Sequence, residues 1–218
     1  MDSKENALKV AEFLLQIKAV ELKPESPFTW ASGLKSPIYC DNRKTLSYPQ
    51  IRTFIRQQFV EVIQAQYGKP EVIAGVATGG IALGALVAQE MGLPFIYVRS
   101  EAKKHGLGNQ VEGVLEKGQS VVVIEDLIST GSSSLNAVIA LRDAGARVIG
   151  MAAIFTYGFE KAKDNFKNAK CKLQTLTDYD TLLSQALHSN FITDKQIVAL
   201  KEWKKGPEVW SENFQVTA

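Results

Sequence analysis

"VVVIEDLISTGSSS", Val121 to Ser134, governs how the rest of the chain is read. Four apolar β-formers run straight into two acids, and a cluster of hydroxyls around one glycine follows. Such a run predicts a buried strand that ends in a loop and opens a helix. Adjacent carboxylates at the end of a buried strand are costly to desolvate, so they call for a use. Thr130, Gly131, Ser132 and Ser133 lie where the first N–H groups of the helix have no internal partner. Those donors, the helix dipole and the hydroxyls together make a cradle for a phosphate, and Gly131 lets the backbone approach closely. The stretch has neither the Gly-Lys-Ser/Thr of a P-loop nor a Gly-x-Gly-x-x-Gly, which points to a monophosphate rather than a triphosphate or a dinucleotide. The two acids can accept hydrogen bonds from the vicinal hydroxyls of a ribose and stabilise positive charge developing on the sugar. Helix capping alone would account for one hydroxyl and a glycine, but not for the acid pair.

Outward from this stretch the rhythm alternates. "EVIAGVA" (71–77) reads as a buried strand, "GGIALGALVAQEMG" (79–92) as a helix closed by Gly92, and "PFIYVR" (94–99) as a strand. The polar run "SEAKKHGLGNQVEG" follows; then come a strand at 120–126, a helix at 133–145 and a strand at 147–155. Strand–helix–strand alternation with continuous apolar strands predicts a mainly parallel sheet with helices on both faces. Ligands bind such sheets at the carboxyl ends of the strands, where Glu125 and Asp126 fall. Amphipathic spacing predicts helices over 5–20 and from Tyr48 to Gly68, the latter with Pro49 in its first turn. Pro24, Pro27 and Pro37 confine the stretch between them to turns and short strands. "CKLQTLT" adds a candidate strand, and 179–189 and 193–204 read as helices. The expectation is one α/β domain over 1–218, with a core at about 65–160 and a cap from 1–48 and 161–218.

Of 218 residues, 45% are hydrophobic and 22% charged, and 25 basic against 23 acidic residues leave a net charge of +2. That balance gives no reason to expect nucleic acid or a membrane surface as a partner. No apolar run approaches a bilayer span, and the acidic N-terminus lacks the character of a secretion signal, so the cytoplasm is the expected location. Cys40 and Cys171 have no metal-ligand spacing and read as thiols in a reducing compartment.

The 121–134 stretch closely resembles the 5-phosphoribosyl 1-diphosphate (PRPP) motif of the type I phosphoribosyltransferases. The resemblance implies that fold, with Glu125 and Asp126 on the ribose and Leu127, Ile128, Ser129, Thr130, Gly131, Ser132 and Ser133 around its 5′-phosphate. Within that family, "FTWASGLKSPIYCDNR" (28–43) resembles the N-terminal signature of the orotate phosphoribosyltransferases, and "RSEAKKHGLGN" (99–109) their mobile catalytic loop. This implies transfer of the 5-phosphoribosyl group from PRPP to orotate, giving orotidine 5′-monophosphate and diphosphate. Lys103, with Glu125 and Asp126, would be catalytic; Arg99, Lys103 and His105 would bind the leaving diphosphate. Arg grips phosphate as a fork and Lys as a point charge. Thr78, Gly79 and Gly80 of "GVATGGIALG" (75–84) correspond to the diphosphate loop, offering backbone N–H groups. Ser129 is also expected at the orotate, with the base near Phe28, Ser32, Lys35 and Tyr39. Mg²⁺ is the implied cofactor, held through PRPP rather than by protein ligands, and a homodimer sharing the catalytic loop across subunits is the implied assembly.

The chain departs from some members of the family. Thr78-Gly79 stands where they carry Tyr-Lys, Ser100 where they have a second basic residue, and Ala31 where they have a lysine. These changes remove cations expected near the diphosphate and orotate, with Lys35 and Arg43 as candidate substitutes. A phosphoribosyltransferase for another base, and a non-catalytic PRPP- or nucleotide-sensing regulator of the same fold, are the alternatives.

Overall fold

The three-dimensional structure is a computed structural model and describes residues 3–30, 32–100 and 110–216. Helix α1 (Ser3–Gln16) leads into short strands β1 (Val20–Leu22), β2 (Phe28–Thr29), β3 (Lys35–Ser36) and β4 (Ile38–Cys40), then a 3-10 turn at Asn42–Ser47. The middle of the chain runs α2 (Pro49–Tyr67), β5 (Val72–Val76), α3 (Gly79–Met91), β6 (Phe95–Val98), β7 (Val111–Glu112) and β8 (Ser120–Ile128). It continues through α4 (Ser132–Asp143), β9 (Arg147–Thr156), α5 (Glu160–Asn168) and β10 (Leu173–Asp178), and ends with α6 (Tyr179–His188), α7 (Asp194–Lys205) and α8 (Pro207–Val216). Contacts divide the chain into two compact units, one from residues up to Thr45 and from Thr177 onward, the other spanning Leu46–Leu176.

In the first unit α1 packs on α6. Val10, Ala11, Leu14 and Leu15 are buried on one helix, and Tyr179, Leu182, Leu183 and Ala186 on the other. Both sets repeat at three- and four-residue spacing, as a helix with one apolar stripe requires. α1 stops at Gln16 rather than at residue 20. Lys18 takes a φ of 54°, outside the right-handed helical region, and Val20 instead pairs with Cys40 in the two-stranded β1/β4 sheet. Trp203 of α7 is fully buried, with its ring 5.7 Å from Trp30 and 5.5 Å from Tyr179. α8 was not expected from sequence; the hydroxyl of its Ser211 accepts the Lys35 N–H of β3 at 2.8 Å.

The second unit holds the expected α/β architecture. Its sheet runs β10-β9-β8-β5-β6-β7. β6, β5, β8 and β9 run parallel to one another, and β7 is antiparallel to β6. Alternate residues Val72 and Ala74, Val121 and Val123, Met151 and Ala153 share one buried cluster with Leu135, Val138 and Leu141 of α4 and Phe166 of α5. Period-two alternation therefore assigns the odd positions of β8 to the α4 face. Residues 161–176, expected in the cap, build most of α5 and the edge strand β10 here. α5 escapes sequence reading because only Ala162 and Phe166 are buried in a lysine-rich helix, too few to declare a period.

Candidate active site

Strand order sets the site. From β5 the chain passes through α3 to β6 on one side; from β8 it passes through α4 to β9 on the other. The crevice between β5 and β8 is therefore the switch point of the sheet, the place where open α/β sheets receive ligands. The two strands are paired only up to Gly75↔Ile124, whereas β8 stays paired with β9 as far as Ile128↔Thr156. Glu125 and Asp126 thus sit inside β8, which ends two residues later than the sequence suggested, yet beyond the last partner on β5. The strand continues because β9 is long enough to keep its ladder satisfied.

The acids point to opposite faces. Glu125 is 6% exposed on the α4 side. Its Oε1 accepts the Asp126 backbone N–H at 2.9 Å and its Oε2 the Ser134 hydroxyl at 2.9 Å. Burial, and then the Asp126 carboxylate beside it, push the Glu125 carboxyl well above the usual carboxylate range, against the pull of those two donors. Asp126 is half-buried on the other face, where its carboxylate fills the place a Cβ on Gly79 would take. A Cβ on Gly80 would strike the Ile124 carbonyl, and one on Gly75 would lie 2.5 Å from the Gly80 carbonyl oxygen. The first turn of α3 is therefore seated directly on β5 and β8, with backbone against backbone. The Ala77–Thr78 peptide that enters this turn is cis.

The loop from β8 to α4 is held from beneath. Gly131 caps α4 with a φ of 79°, a conformation natural to glycine. The Asn165 amide of α5 donates to the Thr130 carbonyl at 2.9 Å, and the Tyr157 N–H donates to the Ile128 carbonyl at 3.1 Å. Thr130 and Ser132 hydroxyls share a 3.2 Å hydrogen bond, and Ser132 and Ser133 are exposed. Neither Thr78 at α3 nor Gly131 at α4 makes a side-chain cap. Two helix N-termini consequently stand at adjacent strand ends, with partial positive charge and N–H donors, on either side of a carboxylate pair.

The structure thus brings together Glu125 to Ser133 with Thr78, Gly79 and Gly80. Ser134, just outside the expected set, is the residue that sequence reasoning missed; only its hydrogen bond to Glu125 in the folded chain marks it out. Arg99 follows β6, its N–H donating to the Gln110 carbonyl at 2.9 Å and its guanidinium 3.6 Å from Glu112. This pairing, with Tyr97↔Glu112 and Val98↔Val111, makes a strand of residues expected to lie in a polar loop. Lys103 and His105, as well as Ala31, lie outside the described residues. In the first unit, the Lys35 ammonium donates to Thr29 Oγ1 at 3.0 Å and Arg43 Nε pairs with Asp41 at 2.7 Å. The Phe28 and Tyr39 rings are 5.5 Å apart there.

Fold and loop together define a class: residues 46–181 match the family model of the phosphoribosyl transferase domain. An orotate phosphoribosyltransferase of Listeria innocua is 58% identical over 204 residues, covering 94% of this chain and 98% of its own. One of Porphyromonas gingivalis is 56% identical over 201 residues, 92% of this chain and 96% of its own. The crystal structure of orotate phosphoribosyltransferase from Aeropyrum pernix superposes with a TM-score of 0.74 at 29% identity, covering 84% of this chain and 99% of that one. This chain belongs to the orotate phosphoribosyltransferase family.

Proposed function

We propose that this protein transfers the 5-phosphoribosyl group from PRPP to orotate, forming orotidine 5′-monophosphate and diphosphate in UMP biosynthesis. The observation that carries the reading is the pair of uncapped helix N-termini flanking Glu125 and Asp126 at the switch point. PRPP has the matching layout, an anion at each end and a diol between. The Ser129–Ser133 loop, with the backbone at Leu127 and Ile128, holds the 5′-phosphate at the head of α4. Glu125 and Asp126 accept the ribose hydroxyls, and the first turn of α3 faces the diphosphate.

In the reaction the bond from the anomeric carbon to the diphosphate oxygen breaks and a bond to the orotate ring nitrogen forms, with inversion. Negative charge on the acid pair beside the sugar favours the positive charge that develops there. The leaving diphosphate takes up negative charge, which Lys103, Arg99 and His105 neutralise. Ser129, the first residue of the loop, meets the orotate as well. The orotate ring nitrogen ionises by itself, so the chemistry demands no strong general base.

Mg²⁺ fits this site as an ion carried by the substrate. Both Glu125 oxygens are engaged, by the Asp126 N–H and the Ser134 hydroxyl, which favours an ion held through the substrate's own oxygens. Carried by PRPP, Mg²⁺ would supply charge neutralisation for the departing group. The working form is a cytoplasmic homodimer in which residues 99–109 of one subunit close over the site of the other. Among the described residues no helix is long and apolar enough to cross a membrane.

The test is loss of orotate absorbance on adding PRPP and Mg²⁺ to the purified protein. Turnover is expected; its absence, with orotidine 5′-monophosphate also failing to revert in the presence of diphosphate, overturns the reading. Loop sharing is tested by mixing inactive Lys103→Ala and Asp126→Asn proteins after partial dissociation. Recovery of part of the activity is expected, and none would return if each loop served its own subunit.

A further inference from the structure

We propose that Ser134 is a positioning residue that couples the phosphate loop to the acid pair, holding Glu125 in the orientation that receives a ribose hydroxyl. The inference rests on the function proposed above and assigns a part to a residue outside its substrate contacts. Ser134 is the third residue of α4 and only 4% exposed. A side chain at this helical position commonly turns back toward the cap. Here its hydroxyl is directed at β8 and donates to Glu125 Oε2 at 2.9 Å, while the Asp126 N–H occupies Oε1 at 2.9 Å. Each carboxyl oxygen receives one of these donors, with the Asp126 side chain beside them, so the carboxyl plane cannot turn without giving up a hydrogen bond in a buried place.

The same helical turn carries Ser132 and Ser133, which receive the phosphate. One rigid turn therefore touches both ends of the ribose 5-phosphate unit, the phosphate directly and the diol through Glu125. A ligand bearing both groups meets a carboxylate already aligned, and the alignment costs nothing further on binding. A ligand bearing phosphate alone makes no use of it. This distinguishes positioning from plain structural support, which would weaken every ligand alike.

The experiment measures calorimetric binding of inorganic phosphate, ribose 5-phosphate and its 2-deoxy and 3-deoxy analogues to the wild-type protein, Ser134→Ala and Ser134→Thr, beside steady-state kinetics. Wild type is expected to prefer ribose 5-phosphate over at least one deoxy analogue. Ser134→Ala should cut that preference about tenfold, the scale of one hydrogen bond to a charged group, and leave phosphate affinity within about twofold. KM for PRPP should rise about tenfold with little change in kcat, and Thr, which keeps the hydroxyl, should restore the preference. A preference retained in Ser134→Ala, or lost equally in Ala and Thr, overturns the inference while wild-type turnover leaves the proposed function standing. A wild-type protein that binds no ribose 5-phosphate overturns both.

Discussion

The turn from β5 into α3 and the turn from β8 into α4 stand side by side, and each presents an uncapped helix N-terminus to the same crevice. They are built by opposite means. The β8 turn works through side chains: a buried acid held by Ser134, hydroxyls on Thr130, Ser132 and Ser133, and an amide strut from Asn165. The β5 turn works through their absence, since Gly75, Gly79 and Gly80 leave no room for a Cβ. In the proposed function one turn meets PRPP by what it displays, the other by how closely its backbone can come. An anion met by the backbone N–H groups of this turn needs that closeness, because the turn's own residues, Thr78, Gly79 and Gly80, carry no cation. The contrast also accounts for glycine at position 79, since the place its Cβ would take is filled by the Asp126 carboxylate.

Substitutions can break this contrast at several depths. The largest effect is expected for Gly80→Ala, whose Cβ meets the Ile124 carbonyl, a backbone atom that cannot step aside. Despite alanine's better helix propensity, the cost should be about 3 kcal/mol or more, read as a lower denaturation midpoint. Gly79→Ala meets the Asp126 side chain, which can swing away. Stability should stay within about 1 kcal/mol, but kcat/KM for PRPP should fall by roughly ten- to a hundredfold as the acid leaves its place. Equal damage to stability in the two variants would mean that the side-chain and backbone contacts are not different in kind.

On the β8 side the expected effects are smaller and one has the opposite sign. Folding raises the Glu125 carboxyl above its unfolded range, so the folded protein holds that proton more firmly. The linkage therefore favours folding at low pH and is lost as pH rises through the folded value. Glu125→Gln removes the charge that must be buried, and should stabilise the protein by roughly 1–2 kcal/mol at alkaline pH. The gain should shrink as pH falls toward the ordinary carboxylate range, and PRPP affinity should drop throughout. Melting curves from pH 5 to pH 9 check the sign; a gain that does not depend on pH would remove the electrostatic explanation. Asn165→Ala, which deletes the strut to the Thr130 carbonyl, should cost about 1 kcal/mol and raise KM for PRPP a few fold, leaving kcat near wild type.

Much of this was legible from the chain. β8 announced itself through consecutive β-formers, α2 through an amphipathic period with Pro49 at its start and Gly68 past its end, and the phosphate loop through hydroxyls placed on an opening helix. The family resemblance then attached a sugar phosphate to the loop. What escaped were elements whose order comes from neighbours. β7 is two residues long and exists because β6 offers a free edge; α5 buries two side chains; α8 docks Ser211 on β3. Ser134 escaped for a related reason, since a serine one residue past a phosphate loop has the same sequence context whether it faces solvent or a buried acid.

By itself the sequence determined the alternation of strands and helices, the loop chemistry after Asp126 and the family, because these are written in periods of two and 3.6 residues and in side-chain types at short spacing. Only the tertiary structure decided that β5 and β8 are neighbours, that Glu125 takes Ser134 of α4 as its donor, and that Gly79 and Gly80 are spaces rather than residues. Strand order and close approach depend on which distant surfaces bury one another, a non-local quantity that no window along the chain contains.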